Sequence, residues 1–191
     1  MGRPRAVSRA VLEEAACELF LEQGYEATSV ADITQRAGVS RATFFNYVPA
    51  KSDLLWTSVD DALDGLPAEL VSSPTDDGAV TQSAAALLRV AARLEPGTVL
   101  LAFANAEPMG VAEELEESAA RRQRRAARII AGHLRARGLA DLHAEVVGAA
   151  QAGAFLAALR AWSRRAPGRT PFPEVLGDAL GMIADAGTLD R

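Results

Sequence analysis

The feature that most constrains this chain is the punctuation of residues 28–55, TSVADITQRAGVSRATFFNYVPAKSDLL. Ser29, with Asp32 three residues on, reads as a capping-box start, and Val30, Ile33 and Ala37 share one face of the helix that follows. Gly38 closes it, as the residue best able to take the left-handed conformation past a helix end. Ser40 is then placed to accept from the free N–H groups of a second helix. Only Gly38 and Val39 separate the two elements. Two helices joined by so short a glycine-containing turn form a helix-turn-helix, a unit whose second helix enters the major groove of duplex DNA.

The second helix carries side chains suited to that groove. Arg41, Thr43, Asn46 and Tyr47 offer donors and acceptors to bases and phosphates, while Phe44 is expected to anchor the helix from inside. Pro49 stops it, and Lys51 falls in the first turn of the next helix. A cation there opposes the helix dipole, so a phosphate partner is its expected reason. Residues 38–50 contain no acidic side chain. Ordinary packing of two capped helices would explain Gly38, Ser40 and the apolar spacing, but not that acid-free polar face.

The segment resembles the DNA-binding domain of the TetR family of bacterial transcription regulators. Thr28, Val30, Ile33, Ala37, Gly38, Val39, Ser40, Thr43, Phe44, Tyr47, Lys51 and Leu54 carry the resemblance. Three positions depart from it: Thr34 for the usual Ala, Phe45 for a Tyr that commonly reaches a phosphate, and Val48 for a Phe that packs the domain. The resemblance implies an all-α fold, with a three-helix DNA-binding domain over residues 1–51 and a helical ligand-binding and dimerisation domain over 52–191. It also implies site residues. Arg41 would read bases through its bidentate fork to guanine. Thr28, Ser40, Thr43, Tyr47 and Lys51 would meet phosphates, Asn46 either partner, and Ala42 and Phe45 would lie on the same face.

Hydrophobic residues make up 49% of the chain but aromatics only 5%, the composition of a helix bundle packed through small residues. No apolar run approaches the eighteen residues of a membrane span, and the N-terminus lacks a signal-peptide core. The expectation is a cytoplasmic protein. A net charge of −5 looks wrong for a DNA binder, yet Arg3, Arg5 and Arg9 precede the first acid, and Arg36, Arg41 and Lys51 flank the reading helix. The arm of residues 1–7 reads equally as a DNA contact or a solvated tail. Cys17 cannot form an internal disulfide and has acidic neighbours, which disfavours a reactive thiol. His133 and His143 stand apart from each other and lack metal-ligand spacing, so neither a metal nor a cofactor is expected. No nucleophile–base–acid set or phosphate-cradling glycine loop recurs, which argues against an enzyme.

Helices are expected over residues 8–23, 51–66, 79–94, 97–106, 109–137, 141–165 and 172–186 as well as in the central segment. The fourth of the chain's helices, opening at Lys51 and ending at Pro67, belongs to both halves and is the natural lever between them. The run Arg121-Arg122-Gln123-Arg124-Arg125 reads first as a solvated face paired with preceding glutamates, Glu117 to Arg121 having the favourable spacing of four. Residues 146–159 are apolar nearly all round and need cover on every side. A homodimer built from the last two helices supplies it; a buried core helix in a monomer is the alternative. For a small-molecule effector, the expected lining is Leu88, Leu100, Phe103, Met109, Phe155, Leu159 and Trp162. Asn105 and Glu107 are either polar anchors or the mark of a helix end. The region with Glu107-Pro108, Asp141-Leu142 and residues 148–162 further resembles regulators that sense acyl-coenzyme A thioesters. The expectation is thus a ligand-responsive repressor on a near-palindromic operator. A helical adaptor that binds protein instead of DNA is the other class.

Overall fold

The computed structural model describes residues 5–72, 78–165 and 170–186, and the side chains of residues 9–72, 78–165 and 170–184. Among the described residues the chain is helical with no strand. The elements are α1 (Arg5–Gln23), α2 (Val30–Ala37), α3 (Arg41–Phe45), a 3-10 turn (Lys51–Leu55), α4 (Thr57–Val71), α5 (Ala79–Ala91), α6 (Thr98–Ala104), α7 (Ala112–Ala136), α8 (Asp141–Arg164) and α9 (Phe172–Ala186). The basic arm expected at residues 1–7 lies mostly outside the described residues, as does most of the loop at 72–78; α1 starts three residues earlier than the pattern indicated.

The packing makes two compact units, residues 1–58 with 96–118, and residues 59–95 with 119–191. In the first, Leu12, Ala15, Ala16, Leu19 and Phe20 of α1 are buried together with Ile33, Ala37, Phe44 and Val48. Val48 is 5% exposed and fills the packing position without the larger ring. Phe20 meets Tyr25 edge-on at 5.1 Å. Segment 96–118 joins this unit through contacts that no local pattern signals. The Tyr25 N–H donates to the Met109 carbonyl at 2.7 Å. Thr98 Oγ1 donates to the Leu54 and Leu55 carbonyls at 3.0 and 3.1 Å, closing the end of the 3-10 turn. Trp56 packs edge-on against Phe103 at 5.6 Å. Cys17 is buried, and burial with the neighbouring Glu13 charge pushes its thiol up to about 12, so it is inert at neutral pH.

In the second unit, α4 runs through Pro67 instead of stopping there. An internal proline costs about 3 kcal/mol. The buried row Val59, Leu63, Leu66 and Leu70 continues past it, and burying that stripe outweighs the lost hydrogen bond. The side chain of Arg122, 7% exposed, forks onto Asp60 at 2.6 and 2.9 Å, and Arg125 bonds Asp64. The arginine run is therefore paired in part across to α4, a correction to the expected pairing along one helix. Phe172 stacks on Trp162 with centroids 5.0 Å apart and meets Phe155 edge-on at 5.3 Å, tying α9 to α8. At Gly148 a Cβ would lie 2.7 Å from the Ala127 carbonyl oxygen, so α7 and α8 cross there at backbone contact.

Length and a mean hydropathy of 1.3 over eighteen residues would by themselves let α8 cross a membrane. Its packing against α9 buries Phe155, Leu156, Leu159 and Trp162 and accounts for that apolarity within a helical unit. One face of α8 stays open in a single chain. Leu142 and Val146 are 77% and 58% exposed, Ala149 and Ala157 follow on the same face, and Met182 of α9 is 70% exposed.

Candidate nucleic-acid interface

The caps that frame α2 and α3 form as their residue types require. The Ser29 hydroxyl accepts the Asp32 N–H at 3.2 Å, and the Asp32 carboxylate accepts the Ser29 N–H at 2.8 Å. The Ser29 hydroxyl also donates to the Asp32 carboxylate at 2.7 Å, and that bond, with the one from the Ser29 N–H, holds the Asp32 carboxyl below the usual range. Gly38, at φ 64° and ψ 33°, ends α2 with its N–H directed to the Gln35 and Thr34 carbonyls. Ser40 caps α3 by accepting the Thr43 N–H at 3.0 Å, and the two hydroxyls bond each other at 2.8 Å. Helical hydrogen bonding continues past α3 itself, with the Asn46 and Val48 N–H groups reaching Ala42 and Phe44.

The face so presented carries the expected side chains. Arg41, Ala42, Phe45 and Asn46 are exposed, Thr43 and Tyr47 are half-buried, and Phe44 is fully buried beneath them. Among the described residues Arg41 makes no ion pair, so its guanidinium is available to an outside partner. Phe44 meets Phe45 edge-on at 5.1 Å, yet Phe45 remains 54% exposed, an aromatic surface where a hydroxyl would otherwise sit.

One expected phosphate contact is corrected, and a second has partners inside the chain. Thr28 is 1% exposed, and its hydroxyl donates to the Gly24 carbonyl at 2.8 Å. It closes the turn after α1 and has no surface to offer. Lys51 is half-buried; its ammonium donates to the carbonyls of Tyr25 at 2.6 Å and Thr28 at 2.8 Å and lies 3.9 Å from the Tyr25 ring centre. Burial lowers the lysine below its ordinary value. These bonds staple the α1–α2 corner and give the cation of the 3-10 turn partners within the chain. Arg36 is likewise committed. It forks onto Glu22 at 3.0 and 2.7 Å and reaches Glu18 at 3.1 Å, joining α2 to α1 and holding the Glu22 carboxyl low. Lys51 and Arg36 were legible as cations, but their carbonyl and carboxylate partners lie 14 to 26 residues away in sequence.

The expected effector lining is split between the units. Leu100, Phe103, Asn105, Glu107 and Met109 belong to the first, and Leu88, Phe155, Leu159 and Trp162 to the second. Phe155 and Trp162 are brought together by Phe172, which no sequence signal singled out as their partner. Asn105 caps α6, its side-chain amide donating to the Leu101 carbonyl at 2.9 Å, and Glu107 is exposed. Both mark a helix end.

A capped helix-turn-helix with an exposed, acid-free second helix defines a DNA-binding module. Residues 12–55 match the profile of the bacterial regulatory proteins of the tetR family. It is 30% identical over 83 residues to the HTH-type transcriptional regulator YezE of Bacillus subtilis, covering 44% of this chain and 43% of the relative. The chain thus spans less than half the length of the curated relatives it matches. Among solved structures it is similar to the FadR repressor of Thermus thermophilus in complex with lauroyl-CoA, with 28% identity, 96% of each chain covered and a TM-score of 0.53. NalD of Pseudomonas aeruginosa, a repressor of a multidrug efflux pump, shares the fold at 18% identity, 97% coverage of each chain and a TM-score of 0.51.

Proposed function

We propose that the chain is a homodimeric repressor that leaves a near-palindromic operator when a small apolar effector binds. The observation that carries the DNA half is the exposed face of α3, where Arg41 makes no ion pair among the described residues and no acid lies between Gly38 and Ala50. Arg41 is the base reader; Ser40, Thr43 and Tyr47 meet phosphates, Asn46 either partner, and Ala42 and Phe45 make apolar contact on the groove wall. The uncovered face of α8 with Met182 of α9 supports a second copy as the missing cover, giving two reading helices about one DNA turn apart.

The likeness to FadR supports an acyl-coenzyme A thioester as the effector class. Such a ligand can lower DNA affinity only as far as it binds the released state better than the DNA-bound state. Electrophoretic shift of DNA flanking the chain's own gene, at two salt concentrations and with and without lauroyl-CoA, tests both halves. Retardation that weakens with salt and is reversed by the thioester supports the reading. No retardation at low salt leaves the protein-binding adaptor as the account of this fold.

A further inference from the structure

The arginine run of α7 divides by face. Arg122 and Arg125 turn toward Asp60 and Asp64, whereas Arg121, Arg124 and Arg128 line an open groove of about 540 Å³ with Ala127 and Glu145. Glu145 is the one carboxylate among the described lining residues, and it is already bonded by Arg135. Among the described residues Arg124 and Arg128 make no ion pair. On a chain of net charge −5, such a local excess of positive charge is not a property of the surface at large.

We propose that this groove binds the phosphates of a small organic phosphate, a nucleoside diphosphate or a coenzyme carrying linked phosphates. Guanidinium groups pair bidentately with phosphate oxygens, and the three positions span seven residues of one helix face, about 10 Å. Long arginine side chains close over a diphosphate from that spacing. The volume falls in the range of ligand pockets, roughly 300–1,000 Å³. A concave groove also suits a small anion better than a duplex backbone, whose phosphates stand on a convex surface. The site uses none of the residues assigned to DNA or to the apolar effector, and stands whether or not that effector is a thioester.

The test is titration calorimetry of the full chain with ADP, inorganic pyrophosphate and adenosine, comparing wild type with Arg124→Gln/Arg128→Gln. Both substitutions are at exposed positions, and circular dichroism checks that the variant folds. ADP and pyrophosphate are expected to bind wild type, adenosine not, with affinity at least tenfold lower in the double variant. Equal binding by both proteins, or none of either phosphate to wild type, overturns the proposal. So does a double variant that turns a dimer into a monomer while wild type ignores ADP, since the groove would then belong to a second copy's carboxylates.

Discussion

Replacing Lys51 with methionine separates the two roles a cation at this position could have. The substitution keeps the apolar stem and removes the ammonium, with its hydrogen bonds at 2.6 and 2.8 Å and its place over the Tyr25 ring. Hydrogen bonds to a charged group contribute about 1.5–3 kcal/mol each, and a partly exposed cation–π contact about 0.5–1. The Tyr25 carbonyl retains the Thr28 N–H at 3.2 Å, so one carbonyl and not two loses its partner. The lysine is only half-buried, and water replaces part of what is removed. A net loss of about 2–3 kcal/mol follows, which for a chain of this size lowers Tm by about 4–12 °C. Urea unfolding followed by circular dichroism measures it. Operator binding of the folded variant should keep the wild-type salt slope, because no phosphate contact is lost. A variant with wild-type stability and a slope reduced by about one counterion would refute the staple and restore the phosphate contact.

Three further outcomes follow from the packing. Gly148→Ala should destabilise by about 1–3 kcal/mol, since its Cβ would press on the Ala127 carbonyl, while Gly65→Ala, with open space around it inside α4, should stabilise by about 0.5–1; paired urea melts read the difference in sign. Asp60→Asn removes the charge paired with the buried Arg122 guanidinium and should cost about 3 kcal/mol, whereas Asp60→Leu/Arg122→Met should recover most of that loss in the same assay. Val146→Asp should turn the dimer into a folded monomer by light scattering, and an unchanged mass would remove α8 from the interface.

How much of this was readable in advance depended on the range of the interaction. Ser29, Gly38 and Ser40 act within five residues, so the sequence alone indicated the caps and the exposed Arg41 face. Phe44 and Ile33 followed from helical spacing. The internal partners of Lys51 were not legible because they are backbone carbonyls, which every residue has and no pattern marks. Pro67 was misread because propensity was weighed without the stripe through Leu66 and Leu70 that overrides it. The division of the arginine run depended on Asp60 and Asp64, some sixty residues earlier, and the pairing of Phe155 and Trp162 through Phe172 was equally hidden.

Selection of duplexes from a randomised pool, run in parallel with wild type and Arg41→Ala, tests the central claim most directly. Wild type should enrich an inverted repeat whose half-sites are centred about one helical turn apart, roughly 10 base pairs. Arg41→Ala should keep salt-sensitive binding while losing preference at one base pair in each half-site. Enrichment of no motif by wild type, or of the same motif by both proteins, would contradict the assignment of α3 as the reading helix.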